Sequence, residues 1–248
     1  MLRAVLCLLG LSCAAPLLVT VDNVNPRVDQ YGHIMNAHDG SVVRFVNGSA
    51  VAFDGLYFVY GTVYENCTQR GAQCSGCGYS PNTFALYTTP DMVHFTFITA
   101  NILPEASKDN SKVDYWMPVV FYNPRSQKFI MQYWSGRCGF VKPCADVAVA
   151  TSPYGPFVMA PPLLLHGGIP SSQMGFFVDP QTGAGYVKYN TGAPQHHVVE
   201  ALADDWLSTT GQWSIVFWKP SFAWMEGGGM FRRGDLVYYM TGTVRCLR

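Results

Sequence analysis

A hairpin pattern occurs four times along this chain of 248 residues, and this repeat constrains the fold more than any other feature of the sequence. In each copy a strand end is followed by a turn and then by an aromatic-rich strand with a period of two, which is typical of a β-hairpin. The marker aromatic residues are 72, 57 and 52 residues apart, a spacing that suits four-stranded propeller blades with loop insertions. These markers are Tyr57, Phe129, Tyr186 and Tyr238, in copies that span residues 53–60, 122–133, 179–189 and 233–240.

Further strand-like runs follow the first three hairpins, at residues 83–88, 146–151 and 197–202. We expect them to be the outer strands of three blades. Only residues 241–248 follow the fourth hairpin, so the sequence predicts an all-β propeller whose last blade is incomplete in this chain. An irregular β-sandwich is the alternative, because antiparallel meanders share this pattern.

The first residues of the chain are typical of a secretion signal. Arg3 precedes an apolar run at 4–11, and small residues suited to cleavage follow. We therefore expect a signal peptide at 1–15 and a C-terminally truncated β-propeller domain at 16–248, in a secreted, extracellular protein. A buried first strand is the alternative. Pro16 and Asp22 interrupt the apolar run before the ~20 residues that a membrane helix needs, so no membrane span is expected.

Cysteine content and glycosylation motifs fit an oxidising compartment. Two N-glycosylation motifs begin at Asn47 and Asn66, both in stretches with turn character. A zinc site is not expected, because a single C-x-x-C lacks the second cysteine pair that such a site needs. Disulfide bonds are the expected state of the cysteines that follow the signal peptide, and the short 138–144 loop suits a bridge between its own ends. The cysteines that follow the predicted signal peptide are Cys67, Cys74, Cys77, Cys138, Cys144 and Cys246.

Composition points to a neutral partner. The chain has 16 basic and 16 acidic residues, which gives no electrostatic footprint for nucleic acid or an anionic membrane. Aromatic residues make up 14% of the chain and charged residues only 13%, a balance that suits packed strands and surfaces that stack on sugar rings. A polysaccharide or oligosaccharide is the expected partner.

Two carboxylates are the best candidates for catalysis. In a propeller, the residue just before the innermost strand of each blade faces the central funnel. Counting back from the hairpin aromatics places Asp39 and Glu226 at two of these four positions, each beside glycines and an apolar strand. A pair of carboxylates across a cleft, one donating a proton and one activating water, is what glycosidic bond cleavage requires. Each could instead serve a turn, which acids often do.

The other two positions of the same count are Trp116 and Gln173. Trp116 and Trp224 are candidate stacking platforms for a sugar ring, although large aromatics more often serve packing. His38 precedes Asp39 and is a candidate for orienting it or for lining the channel. We therefore expect His38, Trp116, Gln173 and Trp224 to contact substrate, and no metal ligand set is predicted.

Six segments, in their order and spacing, resemble glycoside hydrolase family 43, whose members are five-bladed β-propellers that act as inverting glycosidases on arabinan, xylan or galactan. The resemblance implies that Asp39 is the general base and Glu226 the general acid. Some members hold calcium in the central channel, but no spacing in this sequence indicates a calcium site or any other cofactor. The segments are residues 36–40, 57–62, 87–95, 117–123, 177–179 and 226–227.

Departures from the family pattern define the alternatives. The resemblance places at Gln173 an aspartate that orients the sugar and tunes the general acid, and glutamine cannot supply that charge. A glutamate that galactan-cleaving relatives carry near Trp116 is also absent. A carbohydrate-binding propeller that has lost catalysis is therefore the second hypothesis, and an adhesion propeller without a sugar ligand is the third.

Overall fold

A computed structural model describes residues 19–22, 24–45, 55–65, 78–105, 114–138, 142–192, 194–219, 225–226 and 228–243. Within these ranges every regular element is a β-strand, and the paired strands are antiparallel. The predicted signal peptide at 1–15 and the glycosylation sites Asn47 and Asn66 lie outside the described residues. No helix long and apolar enough to cross a membrane occurs in the described part of the chain.

The first two sheets are four-stranded meanders in which each strand pairs with the next along the chain. A short additional strand, β9 (Leu163–Leu164), also pairs with β7 in the second sheet. The first sheet contains β1 (His38–Val43), β2 (Tyr57–Glu65), β3 (Gly78–Thr89) and β4 (Thr96–Thr99), and the second contains β5 (Tyr115–Asn123), β6 (Lys128–Ser135), β7 (Cys144–Ala150) and β8 (Val158–Met159).

The third sheet is a full meander, whereas the fourth is one long hairpin interrupted in the middle. In this hairpin β14 pairs with β17 and β15 with β16, and the Met240 N–H donates to Gly229 O between the two pairs. The third sheet contains β10 (Pro170–Val178), β11 (Gly185–Thr191), β12 (Gln195–Leu202) and β13 (Thr209–Lys219), and the fourth contains β14 (Met225–Glu226), β15 (Met230–Arg233), β16 (Leu236–Tyr239) and β17 (Gly242–Thr243).

Successive sheets pack face to face, and their apolar faces form two cores. Phe58, Tyr60 and Phe84 of the first sheet pack against Met131 and its neighbours of the second. The opposite face of the second sheet packs against the third, where Phe121 meets Phe176 edge to face with ring centroids 4.9 Å apart. The first strands of consecutive sheets adjoin one another. Consecutive meanders packed in this way around their first strands are the blades of a β-propeller.

The three predicted outer strands exist, as β3, β7 and β12, but they are the third strands of their blades rather than the outermost. A fourth strand follows each of them, namely β4, β8 and β13. The short strands β4 and β8 carry too few residues for the period of two to be visible. The 11-residue strand β13 lies outside every repeat segment that the sequence revealed.

Polar contacts join the fourth hairpin to the third blade. The Arg232 guanidinium donates to both carboxylate oxygens of Asp179 at 2.7 Å, and this ion pair lowers the Asp179 pKa to about 2. Nearer the middle of the seam, His197 Nδ1 lies 3.0 Å from the Tyr239 hydroxyl, and Lys188 Nζ lies 5.3 Å from the centre of the same ring. The hairpin is therefore fixed to its neighbour along its length.

The suggested bridge across the 138–144 loop is present as a disulfide between Cys138 and Cys144. It joins Cys138, which lies three residues after the end of β6, to the first residue of β7. The other six cysteines lie outside the described residues.

Candidate active site

The candidate residues whose backbone the structure describes lie at one end of the propeller, where the first strands of the blades begin. The Ser41 hydroxyl donates to Pro118 O at 2.9 Å, which fixes β1 and β5 at the same level. Gln195, at the start of β12, bonds the backbone of Met225 at the start of β14. Asp39 and Glu226 therefore begin their blades at the same end of the molecule.

The first strand of each of the first three blades is bulged near this end. In the first blade His38 pairs with Thr62 and Ser41 with Tyr60, so two residues of β1 oppose one of β2. The second blade has the same bulge between Trp116 and Val119. The third has a three-residue version between Pro170 and Met174. Bulges re-aim side chains and are enriched beside active sites, so this recurring irregularity marks the end of the propeller that can hold a ligand.

Asp39 lies inside the first bulge with a φ of 46°, a left-handed conformation that aspartate tolerates better than most residues. Its carboxylate Oδ2 accepts a 2.7 Å hydrogen bond from the Tyr64 hydroxyl. The His38 ring stacks on the Tyr64 ring with centroids 4.8 Å apart. The exposed Asp39 carboxylate is thus held by the Tyr64 hydroxyl, and the Tyr64 ring is in turn held by stacking on His38.

The backbone around Asp39 is fixed by a close approach and an amide pair. A Cβ at Gly40 would overlap Tyr60 O and lie 2.6 Å from Tyr60 C, so only glycine fits there. The Asn36 side chain donates to Tyr64 O at 2.9 Å and accepts from the Tyr64 N–H at 3.0 Å. Asn36 and Gly40 therefore hold Asp39 and Tyr64 in register with each other.

Tyr64 and Asn36 are site residues that sequence reasoning missed. Asn36 belongs to the segment that carried the family resemblance but received no role there. Tyr64 lies 25 residues from its partner Asp39, and no local pattern connects the two. Only the pairing of β1 with β2 brings them together.

Trp116 is half-buried and contacts Trp134, its cross-strand partner, with ring centroids 4.6 Å apart. Trp134 is buried in the core between the second and third blades. Trp116 packs against the same core but stays partly exposed, at the end of the propeller where Asp39 lies. This geometry is compatible with a stacking platform at Trp116.

His38 precedes Asp39 in the chain, and its ring packs on Tyr64 rather than on Asp39 itself. Its Nε2 is buried and makes no hydrogen bond with any residue that the structure describes. A cleft of about 450 Å³ lies beside His38, lined also by Met35, Val42 and Phe95.

Glu226 lies in β14, where its backbone pairs with Gly242. Its side chain and that of Gln173, a residue of β10, lie outside what the structure describes, as does Trp224. The structure therefore relates Asp39 to Glu226 only through the backbone of Glu226, which lies at the same end of the propeller. No group of three or more His, Cys, Asp or Glu side chains that could hold a metal ion occurs in the described ranges.

The four positions obtained by counting back from the hairpin aromatics are not equivalent. Asp39 and Gln173 lie inside their bulges, whereas Trp116 is the last paired residue before its bulge and aligns with His38. Glu226 is likewise the last residue paired with β17 before the interruption of its hairpin. Counting failed because the bulges contain different numbers of residues and the hairpin turns differ in length. The four residues therefore do not occupy one repeat position, and the sequence count was wrong to treat them as equivalent.

No protein-family model matches the sequence, and no curated protein matches it significantly. Solved structures do match. A β-1,3-galactosidase of glycoside hydrolase family 43 superposes with a TM-score of 0.63 at 20% identity, over 89% of this chain and 43% of that one. An exo-β-1,3-galactanase from Phanerochaete chrysosporium, with galactose, gives a TM-score of 0.65 at 15% identity, over 91% of this chain and 48% of that one. A protein described as a putative exo-β-1,3-galactanase from Bifidobacterium bifidum gives 0.60 at 21% identity, over 86% and 64%.

This chain has the fold of the glycoside hydrolase family 43 β-propellers. The predicted fold class, an all-β five-bladed β-propeller with incomplete final blades, is confirmed at the level of architecture, and the β-sandwich alternative is wrong. The chain spans 43%, 48% and 64% of the lengths of these three structures, respectively. The TM-scores of 0.60–0.65 establish the fold, and at identities of 15–21% the activity is a proposal.

Proposed function

We propose that this chain is a secreted glycoside hydrolase that cleaves the O-glycosidic bonds of galactan-type polysaccharides with inversion at the anomeric carbon. The observation that carries the proposal is the setting of Asp39. This carboxylate lies on a bulged first strand, is held by the Tyr64 hydroxyl, and shares one end of the propeller with Glu226. The sequence leaves arabinan, xylan and β-galactan open, and the structural neighbours described as β-1,3-galactosidases and exo-β-1,3-galactanases favour galactan.

In the proposed mechanism Glu226 is the general acid and Asp39 the general base. Glu226 donates its proton to the glycosidic oxygen as the bond to the anomeric carbon breaks. Asp39 takes a proton from a water molecule that attacks that carbon from the opposite face. Because Tyr64 engages Oδ2 of Asp39, Oδ1 is the oxygen assigned to this water. Inversion needs the two carboxyl groups roughly 6.5–9.5 Å apart, with the water between them.

Release of reducing sugar from arabinan, xylan and β-1,3-galactan, measured for the wild-type chain and for Glu226→Gln, tests the proposal. We expect release from galactan by the wild type and a loss of at least about a hundredfold in Glu226→Gln, because general acid catalysis contributes on that scale. Full activity in Glu226→Gln would exclude the assigned acid.

A carbohydrate-binding propeller without turnover is the second candidate. Gln173 favours it, because this residue takes the place of an acid that the family resemblance implies, and an amide has no charge with which to tune Glu226. Galactan binding by a folded wild-type chain with no released sugar would establish this alternative. Measurable hydrolysis would exclude it.

A further inference from the structure

The strand that carries Glu226 is held by side chains of the preceding blade. Gln195 Nε2 donates to Met225 O at 2.9 Å, and the Met225 N–H donates to Gln195 Oε1 at 3.0 Å. Asn190 Nδ2 donates to the same carbonyl at 3.0 Å. The backbone N–H and C=O of Met225, the residue before Glu226, therefore both form hydrogen bonds with side chains of the third blade.

A side-chain amide that both donates to and accepts from one residue imitates a paired β-strand. It defines the position and the orientation of that residue's backbone, because the two hydrogen bonds constrain rotation as well as distance. Gln195 is itself buried, at 6% exposure, and Asn190 is buried at 2%. The amide groups that hold Met225 are thus embedded in the third blade and are not free to move with β14.

The same device occurs between the first two blades. Asn82 Nδ2 donates to Tyr115 O at 2.7 Å, and the Tyr115 N–H donates to Asn82 Oδ1 at 2.8 Å. Tyr115 directly precedes Trp116, just as Met225 directly precedes Glu226. In both cases an amide from one blade fixes the residue before a candidate site position of the next blade.

The β14 strand needs this support because little else orders it. It has two residues, and its only strand partner among the described residues is the two-residue β17. The backbone then leaves the ladder before β15 begins, and Gly228 within this interruption has a φ of 81°. A short, interrupted strand forms few backbone hydrogen bonds, so contacts from the neighbouring blade fix the position of the backbone that carries Glu226.

We propose that Gln195 is a positioning residue for Glu226, which sets the place of the general acid by fixing the Met225 peptide across the seam between the third and fourth blades. The consequence for catalysis rests on the proposed function, whereas the structural claim does not. Gln195 does not need to touch the substrate for this role.

The test measures amide hydrogen exchange and kinetics on the full chain. Gln195→Met keeps the length of the side chain and removes both hydrogen bonds. We expect the Met225 amide to exchange at least about tenfold faster in this variant, while the β15–β16 ladder keeps its wild-type rates. Asn82→Leu is the matched control, which should accelerate exchange at Tyr115 and leave Met225 unchanged.

Kinetics on a β-1,3-linked galacto-oligosaccharide supply the second readout. Gln195→Met should lower kcat about 10–100-fold with KM changed less than about threefold, because a misplaced acid affects the transition state more than substrate binding. Gln195→Glu provides a conservative rescue. Its protonated carboxyl can both donate and accept, whereas its ionised form can only accept, so kcat relative to wild type should recover as the pH falls.

Unchanged exchange at Met225 in Gln195→Met would overturn the inference, as would a rise spread evenly over the chain, which indicates global destabilisation. A raised KM with wild-type kcat would also overturn it. If the wild type releases no sugar, the proposed function fails, and the exchange measurement still decides whether Gln195 fixes the Met225 peptide.

Discussion

Gly228, in the interruption of the fourth hairpin, offers the sharpest test of how the backbone beside Glu226 is built. A Cβ at this position would overlap Met240 O and lie 2.5 Å from Met240 C and 3.0 Å from Thr241 Cα. These are all backbone atoms, so no side-chain rotation relieves the overlap. The φ of 81° adds a conformational cost for any residue with a Cβ.

We expect Gly228→Ala to lower the free energy of unfolding by about 2–5 kcal/mol. Roughly 1–2 kcal/mol arises from the positive φ, and about 1–3 kcal/mol from the backbone shift that relieves the overlap with Met240, on the scale that overpacking costs elsewhere. Gly234→Ala is the matched control on the same hairpin. Gly234 also has a positive φ, 60°, but a Cβ there meets nothing within 4 Å, so only the conformational cost of about 1–2 kcal/mol applies.

Urea unfolding of the two variants separates these contributions. The midpoint should fall much further for Gly228→Ala than for Gly234→Ala, with the slope m unchanged in both if only the stability of the folded state changes. Sugar release should also fall in Gly228→Ala under conditions where the variant is folded, because relief of the overlap must move the backbone next to Glu226. Equal midpoints for the two variants would refute the close approach of Gly228 to Met240.

Three further predictions concern the site and the seam beside it. Tyr64→Phe should lower kcat about tenfold with little change in the unfolding midpoint, because it removes the hydroxyl that holds Asp39; an unchanged kcat in steady-state assays would contradict this role. The pKa of Asp179 is about 2 in the folded chain, below its unfolded value, so its ion pair with Arg232 stabilises the fold above about pH 4 and is lost as the pH falls towards 2. Arg232→Met should therefore flatten the stability profile over that interval, and an unaltered acid limb in urea titrations would show that the pair contributes nothing. Burial lowers the pKa of Lys188 from its ordinary 10.5 to about 8, so the unfolded chain binds more protons and stability rises between about pH 8 and 10.5. Lys188→Met should be more stable than wild type at pH 7 by up to about 3 kcal/mol, with the difference shrinking towards pH 10; a destabilised variant at pH 7 would show that the contact of Lys188 with Tyr239 outweighs burial.

The blade architecture was predictable because turn chemistry and strand periodicity are local. The turns at 124–127, 180–182 and 234–235 separate strands as the repeat predicts. Strand register was not predictable, because a bulge of two or three residues leaves no signature in the alternation. The error in aligning Asp39 with Trp116 follows from this. Hydrogen bonding between the strands sets the register, and counting residues along the chain carries no information about it.

The sequence nominated the candidate carboxylates, but it gave no sign of the side chains that hold them in place. Asp39 stood out because a glycine and an apolar strand follow it. Its partner Tyr64 and the amides of Gln195 and Asn190 make contacts over 25 to 35 residues of sequence. Such contacts depend on which blade faces which, so they become visible only in the folded chain.

The most direct test of the account follows the anomeric configuration of the first sugar released from a β-1,3-linked galacto-oligosaccharide, by time-resolved proton NMR, for the wild type and for Asp39→Asn. If Asp39 is the general base and Glu226 the general acid of an inverting hydrolase, the α-anomer should appear first with the wild type, and Asp39→Asn should release sugar at least about a hundredfold more slowly. Initial release of the β-anomer, or a wild-type rate in Asp39→Asn, would contradict the account.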